Sequence, residues 1–153
     1  PQRGESMFIG KFDNSIDDKG RIIIPVKFRE ELGSKCVIAK DVDACLTICT
    51  EDTWEAFIRE KVAVLPEGDP MARKLKKYYG SAAHSGDVDK QGRVKIPKEL
   101  LDYAQISRDV ITYGFDNKIQ VWSKEAWEMD QDVESGEVIS PSELAEYMLK
   151  YGF

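Results

Sequence analysis

Ile16-Asp17-Asp18-Lys19-Gly20-Arg21-Ile22-Ile23-Ile24-Pro25 returns 72 residues further along the chain as Val88-Asp89-Lys90-Gln91-Gly92-Arg93-Val94-Lys95-Ile96-Pro97. Beyond this block the offset becomes 73, and Ser34 to Glu55 aligns with Ser107 to Glu128. The matches there include Val37 with Val110, Ile38 with Ile111, Leu46 with Ile119, Ile48 with Val121 and Trp54 with Trp127. One additional residue near Ala104 accounts for the changed offset. Self-similarity over about 40 residues marks the duplication of one supersecondary unit. The chain therefore divides into a first module at 7–60, a linker with a helix at 61–79, a second module at 80–128, and an acidic segment with a C-terminal amphipathic helix at 129–153. Met7 reads as the natural start, and residues 1–6 are expected to be vector-derived.

Local signals agree within each copy. Phe8 to Ile16 alternates loosely and predicts a strand. Asp17 to Gly20 carries turn chemistry, with Gly20 free to adopt positive φ. Arg21 to Ile24 is expected to return beside the first strand and close a hairpin, which Pro25 ends. A short helix over Val26 to Leu32 stops at Gly33. Val37 to Ala39 and Leu46 to Cys49 then pair across Asp41 to Ala44, and Thr50 or Thr53 caps a helix bearing Trp54, Phe57 and Ile58. The second copy repeats this order, with Ser123 as the expected cap before Trp127. Met71 to Tyr79 predicts a linker helix whose Lys74, Lys76 and Lys77 form a solvated face or touch phosphate. Ser140-Pro141 with Glu143 forms a capping box for a helix striped with Leu144, Tyr147, Met148 and Tyr151.

The 153 residues are 42% hydrophobic and 33% charged, as in a folded globular chain. No apolar run approaches the roughly 20 residues of a membrane-spanning helix. The net charge of −6 is localised: residues 128–153 alone sum to −6, so residues 1–127 are neutral and can present a basic face. Three cysteines, Cys36, Cys45 and Cys49, are an odd number, which favours reduced thiols in a cytoplasm over a disulfide framework. Cys45 and Cys49 are expected half-buried on one strand face. His84 is the only histidine, expected to cap or hydrogen-bond in the Ser81 to Gly86 loop. It leaves a metal site short of ligands and a Cys–His pair without supporting context. No metal, cofactor or small-molecule substrate is expected, and the chain is read as a non-enzyme.

The shared constellation is Asp-x-x-x-Arg: Asp17 with Arg21, and Asp89 with Arg93. An arginine directly after a turn can be projected by a two-stranded ribbon, and its planar fork suits guanine O6 and N7 or a phosphate. The pair reads equally as a structural bridge that fixes the turn, because exposed ion pairs are common and individually weak.

Met7-Phe8-x-Gly10-x-Phe12-x-x-x-Ile16-Asp17-x-Lys19-Gly20-Arg21-x-x-x-Pro25-x-Lys27-Phe28-Arg29 resembles the opening signature of the MraZ family, and Asp89-x-x-Gly92-Arg93-x-x-Ile96-Pro97-x-x-Leu100 resembles its second half. The resemblance implies an α+β fold: two tandem AbrB-like, β-rich modules of the swapped-hairpin, double-psi-barrel-like kind, forming a pseudo-dimer within one chain with short peripheral helices. It implies a ring-shaped homo-oligomer at the nucleoid that binds double-stranded DNA at repeated operator boxes upstream of the division and cell wall gene cluster. By the same resemblance Arg21 and Arg93 are the DNA-binding arginines, with Lys19, Lys27 and Arg29 as phosphate contacts and Asp17, Gly20, Asp89 and Gly92 as motif support. Asn14 stands where the family often has histidine. Gln91 and Leu101 replace the counterparts of Lys19 and Arg29, so the second copy is less basic around its motif. The rival reading is an antitoxin-like protein-binding module using the acidic segment at 128–140.

Overall fold

The computed structural model describes residues 7–130 and 140–152, so residues 1–6 and most of the acidic segment lie outside the described residues. The chain falls into two units, one ending at Ser123 and one from Lys124 onward. The second unit contains α5 (Lys124–Asp130) and α6 (Pro141–Lys150), numbered after the helices of the first. Ser140 caps α6 by accepting a hydrogen bond from Glu143 N–H. The same helix leaves Leu144, Tyr147, Met148, Leu149 and Tyr151 exposed.

In the first unit, the first copy runs β1 (Phe8–Ser15), β2 (Arg21–Ile23), α1 (Val26–Leu32), β3 (Lys35–Lys40), β4 (Leu46–Thr50) and α2 (Glu51–Phe57). The linker helix α3 (Pro70–Ser81) leads to β5 (His84–Asp87), β6 (Arg93–Lys95), α4 (Lys98–Tyr103), β7 (Asp109–Asp116) and β8 (Lys118–Ser123). Thr50, rather than Thr53, caps α2, and α1 stops at Gly33 with φ 78°. The inserted residue falls after α4, where Gln105 takes positive φ and Ile106 is buried.

The expected hairpin of each copy does not form. Six antiparallel strands share one sheet in the order β1-β7-β8-β4-β3-β5, while β2 and β6 form a separate two-stranded ribbon. Each copy's own hairpin is β3–β4 or β7–β8, and its opening strand is given to the other copy: β1 lies on β7, and β5 on β3. The copies also meet directly at β4–β8. Alternation along β1 settles which side chains are buried, but not which strand accepts its hydrogen bonds. Burial decides that. Ile22 and Ile24 are fully buried in one core cluster with Val94 and Ile96 of the other copy. The exchange is closed by reciprocal bonds, Ile24 N–H to Gly92 O at 2.7 Å and Ile96 N–H to Gly20 O at 2.9 Å. The α+β class with strands swapped between repeats is thus what the protein has.

Phe28 on α1 anchors β1 to this core, meeting Phe8 edge-on at 5.5 Å and Phe12 at 5.3 Å between ring centroids. Gly114 on β7 makes the room, since a Cβ there would lie 2.6 Å from Phe28 Cζ. Gly114→Ala is expected to cost about 1–3 kcal/mol by overpacking, read as an earlier urea midpoint at fixed protein concentration.

Candidate nucleic-acid interface

The two Asp-x-x-x-Arg turns have one geometry. Asp17 Oδ1 accepts from Lys19 N–H at 2.9 Å and Arg21 N–H at 2.8 Å, while Oδ2 accepts from Arg21 Nε at 2.8 Å. In the second copy Asp89 Oδ1 accepts from Gln91 N–H at 2.9 Å and Arg93 N–H at 2.8 Å, and Oδ2 from Arg93 Nε at 2.8 Å. Gly20 and Gly92 close the turns with φ 78° and 81°, a conformation that penalises any side chain. The backbone N–H of the arginine, more than its guanidinium, holds each aspartate below its ordinary value of 3.8.

The carboxylate is therefore a structural bridge, and it still leaves the arginine usable. Only Nε is spent on it; among the described residues no hydrogen bond is formed by the Nη groups of Arg21 or Arg93. The side chains are 29% and 31% exposed, so neither is sealed inside the chain. An anchored Nε with open Nη groups is a pre-oriented donor fork, which loses less side-chain freedom on binding than a loose arginine.

Strand exchange then puts both arginines on one ribbon. Arg21 pairs with Lys95, Ile22 with Val94, and Ile23 with Arg93. Ile22 and Val94 point into the core, so Arg21, Ile23, Arg93 and Lys95 share the outer face. The ribbon carries three cations and one exposed aliphatic side chain. Lys95 and Ile23 escaped the reading of the motif alone. Their signal is the odd-position alternation of Arg93-Val94-Lys95 and Arg21-Ile22-Ile23.

Of the other expected site residues, Lys19 lies exposed in the first turn and Lys27 exposed on α1. Arg29 is placed differently. Its Nε donates to Ile24 O at 2.8 Å, and its guanidinium covers Gly92, where any Cβ would overlap Arg29 Nε and Cζ. Arg29 thus packs the first copy's helix onto the second copy's turn. Its twofold counterpart Leu101 lies over Gly20 more loosely, with Cδ1 3.6 Å from where a Cβ would stand, an ordinary apolar contact.

The remaining candidate chemistry lies apart from the ribbon. A cavity of about 230 Å³ is lined by Trp54, Phe57 and Tyr79 on one side and by Asp41, Cys49 and Lys118 on the other. Burial raises Asp41, but the donors Lys118, Thr47 and Gln120 outweigh it and hold this buried carboxylate below its usual range. The cysteines are fully buried rather than half-buried, and Cys45 precedes β4 instead of lying on it. Burial pushes Cys36 up to about 11 and Cys45 and Cys49 up to about 12, which suppresses the thiolate a nucleophile needs. His84 belongs to β5 rather than a loop, and its Nε2 lies 2.6 Å from Glu99 Oε1. Among the described residues no three His, Cys, Asp or Glu side chains converge as metal ligands, and no helix is long and apolar enough to cross a membrane.

A duplicated, strand-exchanged α+β fold that presents a cationic two-stranded ribbon defines the class. The chain matches the family model of the MraZ protein, whose description adds a likeness to antitoxins, over residues 7–77 and 81–138. It is 41% identical over 142 residues to a protein of Caldanaerobacter subterraneus, covering 93% of this chain and 96% of that one. It is 39% identical over 146 residues to a protein of Clostridium tetani, covering 95% and 99%. Both relatives are named transcriptional regulator MraZ. This chain belongs to the MraZ family.

Because the depression of Asp17 comes first from a backbone N–H, Arg21→Ala is expected to return its pKa only part of the way to 3.8. The clamp is then intact above that value and lost as pH falls through the lower folded pKa. Carboxyl ¹³C titration of Asp17 in both proteins checks this, and full return to the ordinary value would assign the shift to the guanidinium.

Proposed function

We propose that this protein is a sequence-specific DNA-binding transcriptional regulator that inserts the β2–β6 ribbon into the major groove. The observation that carries the reading is the placement of Arg21 and Arg93 on a single ribbon, each held at Nε by its own aspartate. A major groove about 12 Å wide admits a two-stranded ribbon, and an arginine fork matches guanine O6 and N7. Lys95 on this face, with the exposed Lys19 of the first turn and Lys27 of α1, would supply phosphate contacts. The names of the relatives support the regulatory role.

One arginine–guanine contact supplies only about 1–3 kcal/mol of discrimination. Useful affinity then requires several subunits on spaced boxes, so that later contacts form at high effective concentration. We infer a ring-shaped homo-oligomer on repeated operator boxes, acting at the nucleoid on the division and cell wall gene cluster. The exposed apolar stripe of α6 supports an assembly contact, since such a surface needs cover. The same stripe, with the family's likeness to antitoxins, keeps one rival: a foreign protein recovered in stoichiometric amount would favour the antitoxin-like module.

Arg21→Ala is expected to weaken binding to the protein's upstream region by about tenfold or more per site, with the mass of the assembly unchanged. Lys27→Ala is expected to weaken all sequences alike and reduce the salt slope by about 1. Fluorescence anisotropy at several salt concentrations measures both. Unchanged affinity in the arginine variant would overturn the assignment.

A further inference from the structure

The outer face of the ribbon is not uniformly cationic. Ile23 sits on it with half its surface exposed, opposite Arg93 and two positions along from Arg21. Singly exposed aliphatic residues are ordinary on protein surfaces. This one differs in two respects. It lies among the side chains that would enter the groove, where a β-branched residue has little freedom to turn aside. Its backbone is also fixed from behind: Asn14 Nδ2 donates to Ile23 O at 2.9 Å, while Asn14 Oδ1 accepts from Thr112 Oγ1 at 3.1 Å. Asn14 thus ties the ribbon to β1 and β7, and the direction of the Ile23 side chain is set by the sheet.

The major-groove edges of the bases carry donors and acceptors throughout, with one apolar group, the C5 methyl of thymine. Resting on the proposed DNA reading of this ribbon, we infer that Ile23 is a specificity-determining residue that packs on a thymine methyl beside the base met by Arg93. Its counterpart in the second copy is Lys95, which gains nothing from a methyl. The twofold likeness of the ribbon is therefore broken at this position alone on its outer face. One end carries Arg21 with Lys95, and the other carries Arg93 with Ile23. A single chain senses one thymine methyl, not a symmetric pair, and reads its box in one direction.

The probe is a DNA duplex selected by the protein from a random pool, with each thymine replaced in turn by deoxyuridine. That change deletes the methyl and nothing else. Anisotropy at fixed salt is expected to show one position at which the natural protein binds roughly fourfold more weakly, the value of one buried methyl-sized group. Ile23→Ala is expected to bind the thymine and uracil duplexes equally at that position, and Ile23→Val to keep most of the difference. Lys95→Ala should keep the methyl dependence while flattening the salt slope. A flat thymine scan overturns the inference, as does methyl dependence that survives Ile23→Ala. If Arg21→Ala abolishes binding while the scan is flat, only the role of Ile23 falls. If Arg21→Ala binds normally, the DNA reading of the ribbon falls with it.

Discussion

Two hydrogen bonds between the repeats, Ile24 N–H to Gly92 O and Ile96 N–H to Gly20 O, set the path of nearly everything else. Each takes the strand end of one copy and ties it to the turn of the other. With those ends tied, β2 and β6 must run side by side, and Ile22, Ile24, Val94 and Ile96 must fill one core. A backbone group buried without such a partner would be costly. In each case the partner comes from the turn of the other copy. The two repeats are therefore halves of one folded unit rather than a doubling of independent parts.

The functional face follows from the same constraint. A ribbon made of one strand from each copy brings Arg21 and Arg93 onto one surface. Two separate hairpins would have left them on two. The aspartates then do two jobs with one carboxylate: one oxygen satisfies the turn's backbone N–H groups, and the other orients the guanidinium. Such a clamp offers little as an exposed ion pair. Its worth lies in holding the arginine ready, so that less side-chain entropy is lost on contact.

Sequence divergence between the copies also acquires meaning only in this frame. Arg29 and Leu101 occupy twofold-related places, and each covers the glycine of the opposite turn, one with a guanidinium and one with a methyl group. The turn geometry survives the exchange of a charged for an apolar cover because the shared demand is conformational, positive φ at Gly20 and Gly92, while only the guanidinium over Gly92 also shuts out a Cβ. Ile23 and Lys95 differ on the outer face instead, where no packing demand makes them alike.

Read along the chain, the amino acids determine the repeat, the strands and helices within it, the turn at Asp17 to Gly20 and the pairing of each arginine with its aspartate. These are short-range properties: side-chain period, positive φ at glycine, and hydrogen bonds spanning four residues or fewer. The partner of each strand, the loss of the expected hairpin, the structural employment of Arg29 and the full burial of the cysteines were decided by tertiary structure. Alternation says which face of a strand is buried, and a repeated sequence offers two equivalent strands to cover it. Only the closing of one continuous core, which places β1 on β7 and β2 on β6, selects between them.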